Sequence, residues 1–283
     1  MTWWCSASKE PWSWAFRAYP GIWIFTALLL VGYLLAFRRS PSAAGSEAAA
    51  SDKRKRWAFL GGWALLWLST DWPLGTLGSG YLATAHMTQY VLYTMAAAPL
   101  LMVGIPEWMA RRALSKLRAY RTVTLVAKPL VAGIVFNVIL VVTHAPITVD
   151  NLRTNQFGSF ALDVAWLLSG LVLWLPVCGP LDELKPSLPA RGVYLFLAAG
   201  LVPMVPGGFL TFSATPLYRV YELAPRVNGF EALDDQQTAG AIMKIGNLPL
   251  LWPVLAGIFI RWANQDRATP PPAKPRPAST SST

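Results

Sequence analysis

The sequence predicts an all-α, polytopic membrane protein, a bundle of seven transmembrane helices with its N-terminus outside and its C-terminus in the cytoplasm. Three observations lead to this fold class. Only 13% of the residues are charged, against roughly 25% in a soluble domain. The charged residues collect in short clusters, and the stretches between the clusters are almost purely apolar. Each stretch approaches the roughly 20 residues that an α-helix needs to cross a bilayer.

Seven apolar runs follow one another along the chain, and each is expected to form one spanning helix. They cover residues 19–37, 57–72, 82–105, 124–146, 158–178, 192–214 and 237–260. Tryptophans mark their ends, as expected where indoles meet the membrane interface: Trp23, Trp57, Trp72, Trp108, Trp174 and Trp262. The second run is the shortest, so we expect it to tilt little or to continue into its loop.

These runs define the predicted domains. Residues 1–18 form a short external segment, residues 19–262 form the transmembrane domain, and residues 263–283 form a proline-rich cytoplasmic tail that is expected to be disordered. Prolines such as Pro99, Pro203 and Pro249 interrupt the later runs. They either bend the helices around a cavity or are simply tolerated there by close helix packing.

The orientation follows from the lysines and arginines of the loops, because cytoplasmic loops carry an excess of them. Residues 38–56, 106–123, 179–191 and 261–283 contain seventeen, and the loops of the other side contain five. The side with seventeen is therefore predicted to be cytoplasmic. The formal net charge of +10 is thus explained by the lipid bilayer, and a nucleic-acid partner is not expected.

Polar residues gather on the predicted outer side, although ionisable groups in a bilayer cost free energy unless they have a partner or a function. Both histidines of the chain belong to this group, one near the start of the third run and one at the end of the fourth. The group contains Asp71, His86, Tyr90, His144, Asp163, Asp235, Gln236 and Lys244. Its members either form a functional cluster or merely hold the helices together.

Two methionines accompany the histidines and indicate a metal site. Met87 follows His86, and the seventh run supplies Met243. Imidazole and thioether groups suit Cu(I), so copper is the predicted metal and His86, Met87, His144 and Met243 are its predicted ligands. Tyr90 lies one helical turn from His86, on the same face. Lys244 is expected to be neutralised by Asp163 or Asp235.

Three segments carry a family resemblance. They are AHMTQYVLYTMAAAPLLMVGIPEWMARRAL at residues 85–114, THAPI at 143–147 and TFSATPLYRVYELAPRVNGFEALDDQQTAGAIMKIGN at 211–247. In this order they resemble the polytopic CtaG family of cytochrome c oxidase assembly factors, whose signatures are HMxQH with PLLxxGxP, W-H-x-P, and plYxxY…DQxxaGxxM. The resemblance spans residues 58–262. Tyr90 stands where the family has the second histidine of HMxQH.

The resemblance implies a function in the assembly of a haem–copper cytochrome c oxidase in a bacterial cytoplasmic membrane, with copper insertion from the outer face as the expected step. The expected partners are oxidase subunits, and no enzymatic activity is expected. A transporter of a metal ion or small solute is the alternative. A retinal-type photoreceptor would use Lys244 as its Schiff-base lysine, but Gly240 replaces the carboxylate expected four residues earlier. A membrane hydrolase would need a Ser/His, Cys/His or HExxH arrangement, which this sequence does not contain.

Overall fold

A computed structural model describes residues 2–38 and 46–268 of the chain, without the side chains of 46–49 and 268. Within these residues the regular structure is entirely helical. Most of the predicted tail, from residue 269 onward, lies outside the described residues. The helices are α1 (Pro20–Phe37), α2 (Ser46–Thr70), α3 (Leu74–Gly80), α4 (Ala83–Val91), α5 (Ala98–Val103), α6 (Glu107–Leu117), α7 (Tyr120–Val126), α8 (Pro129–His144), α9 (Pro146–Leu152), α10 (Gln156–Cys178), α11 (Leu188–Leu195), α12 (Met204–Phe212), α13 (Arg219–Glu222), α14 (Ala232–Ala241) and α15 (Leu248–Ala268).

The membrane-protein prediction is confirmed at the level of the fold class. Four described helical segments are long and apolar enough to cross a bilayer: Pro20–Phe37, Gln156–Cys178, Leu188–Phe212 and Ala232–Arg267. Two bent pairs, α4–α5 with α6 and α7 with α8, raise the number to as many as six if each pair is one span. Helix α2 is much longer than the predicted second run, because it begins upstream of a basic stretch at residues 53–56.

Three of the long helices contain a wide, π-helical turn shortly before a proline. The turns are Leu92–Ala97, Phe196–Leu201 and Ile242–Gly246, and they join α4 to α5, α11 to α12 and α14 to α15. A proline has no N–H group and displaces the carbonyl that lies one turn before it, so the helix widens instead of ending. Each widened turn leaves backbone carbonyls without a helical partner. Bending at these prolines stays a prediction, since each of the three segments runs on as one continuous helix.

Side chains of neighbouring helices satisfy these carbonyls. Trp174 Nε1 on α10 donates to the carbonyl of Thr94, at 2.8 Å. Asn247 Nδ2 donates to the carbonyl of Ala199, also at 2.8 Å. A polar group left unpaired in the hydrocarbon region would cost several kcal/mol. These two hydrogen bonds avoid that cost at the widened turns. They also fix the neighbouring helices against one another.

The bundle has an apolar core and an apolar outer surface, as expected for a chain surrounded by lipid. Trp166, Trp174 and Phe136 are fully buried in the core. Leu130 and Phe212, in contrast, expose 75% and 79% of their surface. Helix α10 packs against both α5 and α8, which brings the residues near its start next to the beginning of α4 and the end of α8.

The predicted external segment, residues 2–18, packs against one end of the bundle. Trp4 and Cys5 are buried with Tyr19 and Ile22 in a second, smaller apolar cluster. The amide of Trp3 donates to Gln156 Oε1 at 2.7 Å. We call this end of the bundle, which also carries His86 and His144, the histidine end. The opposite end, which carries the basic residues of α6 and of the loop before α11, is called the basic end.

Candidate functional site: a buried histidine pair

The two histidines of the chain meet inside the histidine end. His86 lies in the first turn of α4 and His144 is the last residue of α8. Their ring centroids are 5.7 Å apart and their planes are nearly perpendicular. Both side chains are buried, with 0% and 5% of their surface exposed. The two histidines, which were predicted at one depth on one side, are thus direct neighbours in the structure.

The hydrogen bonds of His86 define its tautomer. Tyr221 Oη is 2.7 Å from His86 Nδ1 and 2.6 Å from the carbonyl oxygen of Gly78. The carbonyl can only accept, so the single hydroxyl hydrogen of Tyr221 goes to Gly78. We therefore assign the hydrogen of His86 to Nδ1, which donates it to Tyr221. This leaves a lone pair on His86 Nε2.

His144 is held in the same tautomer by a different partner. Its Nδ1 is 2.9 Å from the carbonyl oxygen of Leu140, one helical turn earlier. Because that carbonyl accepts only, Nδ1 carries the hydrogen and Nε2 carries the lone pair. Within the described part of the chain, neither histidine Nε2 has a hydrogen-bond partner. Two buried imidazole lone pairs are therefore free to bind an electrophile.

Aromatic rings enclose the pair. Trp166 on α10 contacts both imidazoles, with ring-centroid distances of 4.7 Å to His86 and 5.6 Å to His144. Its indole nitrogen donates to Thr143 Oγ1 at 3.1 Å, which fixes the ring. Tyr90 lies 4.6 Å from His144, and its buried hydroxyl has no hydrogen-bond partner in the described residues. Tyr90 therefore lies against the histidine pair, and its function there stays a prediction.

A buried ion pair borders the rings. Arg153 Nη2 lies 3.0 Å from Asp163 Oδ1, and the two side chains expose 0% and 4% of their surface. The guanidinium group lies over Trp166, 4.9 Å from its ring centroid. Trp4 Nε1 donates to the other carboxylate oxygen of Asp163 at 2.8 Å. The positive charge next to the histidines is thus compensated by Asp163.

Three residues of the site were missed by the sequence analysis. Arg153 was counted only as a basic residue of an outer loop, and Tyr221 and Trp166 were not singled out. Their contacts join positions far apart in the chain, such as the 135 residues between Tyr221 and His86. The nearest sequence signal for these residues was the YxxY pattern formed by Tyr218 and Tyr221. Both tyrosines contact the histidines, since the Tyr218 hydroxyl donates to the carbonyl of His144 at 2.9 Å.

The predicted pairing of Lys244 with Asp163 or Asp235 is wrong. Asp163 is occupied by Arg153. Asp235 accepts from the amides of Ala83 and Thr84, at 2.6 and 3.0 Å, and so caps the N-terminus of α4. Lys244 instead lies over the ring of Phe212, 4.5 Å from its centroid.

Two further polar residues predicted in the cluster have structural contacts. Gln236 Oε1 accepts from the amide of Leu217 at 2.5 Å and fixes the loop before α13. Asp71 Oδ2 accepts from the indoles of Trp23 and Trp67, at 2.7 and 3.0 Å, and joins α1 to α2.

The predicted methionine ligands lie in the apolar core. Met87 is fully buried, and Met243 exposes 2% of its surface. Packing accounts for their burial, and their function as metal ligands stays a prediction. Over the described residues, no three His, Cys, Asp or Glu side chains come together as a metal site. A metal at this end would therefore be held by the histidine pair and by at most a weaker third group.

The comparison with protein families identifies the family of this chain. The model of the cytochrome c oxidase caa3 assembly factor family (Caa3_CtaG) matches residues 31–265, which include every residue of the histidine pair and its ring enclosure. This chain belongs to the CtaG family. The CtaG assignment confirms the resemblance inferred from residues 58–262 and extends it to α1.

One curated protein is also similar to this CtaG-family chain. The potassium-transporting ATPase potassium-binding subunit of Thermoplasma acidophilum is 28% identical over 145 residues. The match covers 49% of this chain and 24% of that protein, so the chain spans about a quarter of its length. No solved structure matches the chain.

Proposed function

We propose that this CtaG-family chain assists the assembly of a cytochrome c oxidase by holding copper at His86 and His144 before the ion passes to an oxidase subunit. One observation carries the proposal: two buried imidazoles lie 5.7 Å apart, and both Nε2 atoms lack a partner within the described residues. Buried polar atoms are rarely left unpaired, so each one needs an explanation. A bound ion explains both at once. The family assignment points to a non-catalytic function.

Copper suits this ligand set better than magnesium or calcium does. Neutral imidazoles bind copper readily, whereas magnesium and calcium need carboxylate or carbonyl oxygens. A separation of about 6 Å between ring centroids is what two imidazoles need to share an ion at about 2 Å from each nitrogen. The Nδ1–H groups donate to Tyr221 and to Leu140, the outer contacts that orient metal-binding histidines.

Electrostatics favour a weakly charged ion. Arg153 alone would repel a cation from the histidines, but Asp163 at 3.0 Å offsets its charge. A monovalent ion costs less free energy to remove from water than a divalent ion does. Two neutral nitrogens therefore compensate the transfer of Cu(I) into this buried site better than that of a divalent ion. We infer that Cu(I) is the form held, and that Met87 or Met243 completes the site if either thioether approaches it.

The proposed arrangement in the membrane has seven spans, with the N-terminus outside. The asymmetry of seventeen basic residues against five supports it. The histidine end then faces the outside of the cytoplasmic membrane, and copper would pass from the histidine pair to an oxidase subunit on that side. Residues 2–18 lie over this end, so they are the first part of the chain that an approaching subunit meets.

The deciding experiment combines binding and complementation. Purified chain is titrated with Cu(I) against a competing chelator, and we expect one ion per chain with a dissociation constant below about 1 μM. The His86→Ala/His144→Ala variant should lose this binding and, in a deletion strain, should yield oxidase with less copper. Thr88→Ala is the matched control, because the Thr88 hydroxyl only bonds to its own helix. Unchanged copper binding by the double variant would contradict the proposal.

A cation transporter is the second candidate, favoured by the similarity to a potassium-binding subunit. Against it, Arg153, Asp163 and both histidines lie at the histidine end, whereas large apolar side chains such as Trp174 and Leu173 fill the core farther along α10. Vesicles that contain the purified chain separate the two functions. An assembly factor holds Cu(I) without moving it across the membrane, whereas a transporter produces copper or potassium flux.

A further inference from the structure

A second site lies at the basic end, and it does not depend on the proposed function. A cavity of about 840 Å³ opens between the start of α11, the end of α15 and the loop that follows α10. Four basic side chains line it: Lys55, Lys185, Arg191 and Arg261. Trp262 also lines the cavity, and tryptophan is enriched where a membrane protein meets the lipid headgroups.

The positive charge of this cavity is only partly neutralised. Of its two acidic residues, Asp182 pairs with Lys185 at 2.5 Å and Glu107 pairs with Arg111 at 2.7 Å. The bond to Lys185 lowers the pKa of Asp182, so this carboxylate is charged and its charge is already engaged.

The charge of Asp182 also acts on Lys55 and Arg191, but from beyond ion-pair distance. Within the residues that the structure describes, Lys55, Arg191 and Arg261 form no ion pair. Arg191 and Arg261 lie close enough to repel each other. Arg191 is nevertheless held in place, because its Nε donates to the carbonyl of Pro186 at 2.8 Å.

The parts of the chain that the structure does not describe carry little negative charge. Residues 39–45 and 269–283 contain Arg39, Lys274 and Arg276, but no Asp or Glu, and Glu47 is the one acidic residue among the side chains that are not described. The basic cavity therefore offers its positive charge to an external anion.

The cavity continues into an apolar groove. The groove has a volume of about 540 Å³, and its lining includes Gly32 and Phe59. It shares Met102, Ile105, Gly179 and Pro180 with the basic cavity. A ligand with an acidic head and a hydrocarbon body would occupy both spaces at once, without leaving either its charge or its apolar surface unmatched.

We propose that the basic cavity and the apolar groove together bind one anionic phospholipid, with its phosphate among Lys55, Arg191 and Arg261 and an acyl chain in the groove. Basic pockets between membrane helices at the headgroup level are known to hold acidic lipid headgroups, and each nearby lysine or arginine strengthens the attraction. The apolar groove selects a lipid over a soluble phosphate, because burial of the acyl chain adds to the binding.

The proposal is tested on the purified full chain in detergent, with dioleoyl phosphatidylglycerol and dioleoyl phosphatidylcholine as the two probes. Native mass spectrometry measures the retained lipid, and the melting temperature is followed in parallel. We expect phosphatidylglycerol to be retained more strongly than phosphatidylcholine by about tenfold or more. The Arg191→Gln/Arg261→Gln variant should abolish this preference. The control Arg112→Gln/Lys116→Gln removes the same charge from exposed positions outside the cavity and should keep the preference.

A third variant tests the groove. No atom lies within 4 Å of a Cβ built on Gly32, so Gly32→Phe introduces a ring at the lining of the groove from a position with open space. It should reduce retention of phosphatidylglycerol while leaving the basic residues intact. Equal retention of the two lipids by the unmodified chain overturns the proposal, and so does an equal loss in the control variant. A rise in melting temperature with inorganic phosphate that matches the rise with phosphatidylglycerol would assign the cavity to a soluble anion instead.

Discussion

Removal of one member of the buried Arg153–Asp163 pair is expected to destabilise the chain more than removal of both charges together. Asp163→Asn keeps the shape of the side chain and an acceptor for Trp4 Nε1, but it leaves the guanidinium charge without a counter-ion. Arg153→Met keeps most of the volume and leaves the carboxylate alone. The double variant removes both charges, so no unpaired ion remains in the bundle.

The expected magnitude follows from the geometry. At the observed 3.0 Å separation, two unit charges attract each other by about 5 kcal/mol at an effective dielectric constant of about 20. The near-complete burial of both groups means that solvent does not screen this attraction. Breaking a buried pair by removing one partner costs about 3–5 kcal/mol in proteins, whereas replacing both partners is much less costly. We therefore expect a coupling energy of about 2–3 kcal/mol between the two positions.

Thermal or denaturant-induced unfolding in detergent, followed by tryptophan fluorescence, measures these effects. Each single variant should lower the melting temperature by roughly 10 °C, and the double variant should recover a large part of that loss. Lys185→Met, which breaks the exposed pair with Asp182, is the control and should change stability by less than about 1 kcal/mol. Additive losses in the double variant would refute the reasoning, since they would show that the two charges do not stabilise each other.

Three shorter predictions concern the site, the packing and the topology. Tyr221→Phe removes the acceptor of His86 Nδ1–H and should weaken Cu(I) binding by about 10–100-fold in the chelator titration. Gly62→Ala should cost about 1–3 kcal/mol of stability, because its Cβ would lie 2.7 Å from the amide of Leu101. Reporter fusions after residues 45, 115 and 185 should be cytoplasmic, and fusions after residues 76, 152 and 228 should be external.

The first two of these predictions each have an internal control. Tyr33→Phe also removes a buried hydroxyl bond, to the carbonyl of Gly104 at 2.9 Å, but it should leave Cu(I) affinity unchanged. Gly61→Ala lies next to Gly62 with nothing within 4 Å of the new Cβ, so it should be neutral or slightly stabilising. If a variant and its control had similar effects, the contact named for that variant would not explain them. An external signal after residue 115 would contradict the predicted topology.

The helices could be predicted from the sequence because their cause is local. An apolar run of the right length must hydrogen-bond its own backbone when lipid surrounds it, and the first and fifth runs match α1 and α10 closely. Pro99, Pro203 and Pro249 mark interruptions of the helices for the same local reason, and a widened turn precedes each of them. The partners of the displaced carbonyls could not be predicted, because Asn247 and Trp174 reach them from other helices.

The histidine pair could be located in depth but not in its surroundings. Basic asymmetry and helix position place His86 and His144 at one end, and the two residues do meet. The ion pair beside them was predicted between the wrong partners. Lys244 is the only lysine inside the seventh run, so a carboxylate partner was expected for it. Arg153 pairs with Asp163 instead, because the turn between α9 and α10 directs its side chain inward, under residues 2–18. The periodicity of a helix cannot predict the direction of a side chain in such a turn.

Tyr90 offers the sharpest test of what the pair does. It stands where the CtaG signature has a second histidine, its ring centroid lies 4.6 Å from that of His144, and its hydroxyl has no hydrogen-bond partner in the described residues. Tyr90→His would place a third imidazole against the pair without adding volume to the core. If the pair binds Cu(I), a third nitrogen ligand should tighten binding by about tenfold or more, equivalent to about 1.4 kcal/mol.

The same substitution discriminates between a metal site and a structural contact. A purely structural cluster loses the packing of the tyrosine ring and gains nothing, so Tyr90→His would lower the melting temperature and leave Cu(I) affinity unchanged. Tyr90→Phe removes only the hydroxyl and serves as the control. Because that hydroxyl bonds to nothing in the described residues, Tyr90→Phe should change stability by less than about 1 kcal/mol. Tighter Cu(I) binding by Tyr90→His alone, measured against the same chelator, requires that His86 and His144 present their Nε2 atoms to a common ion.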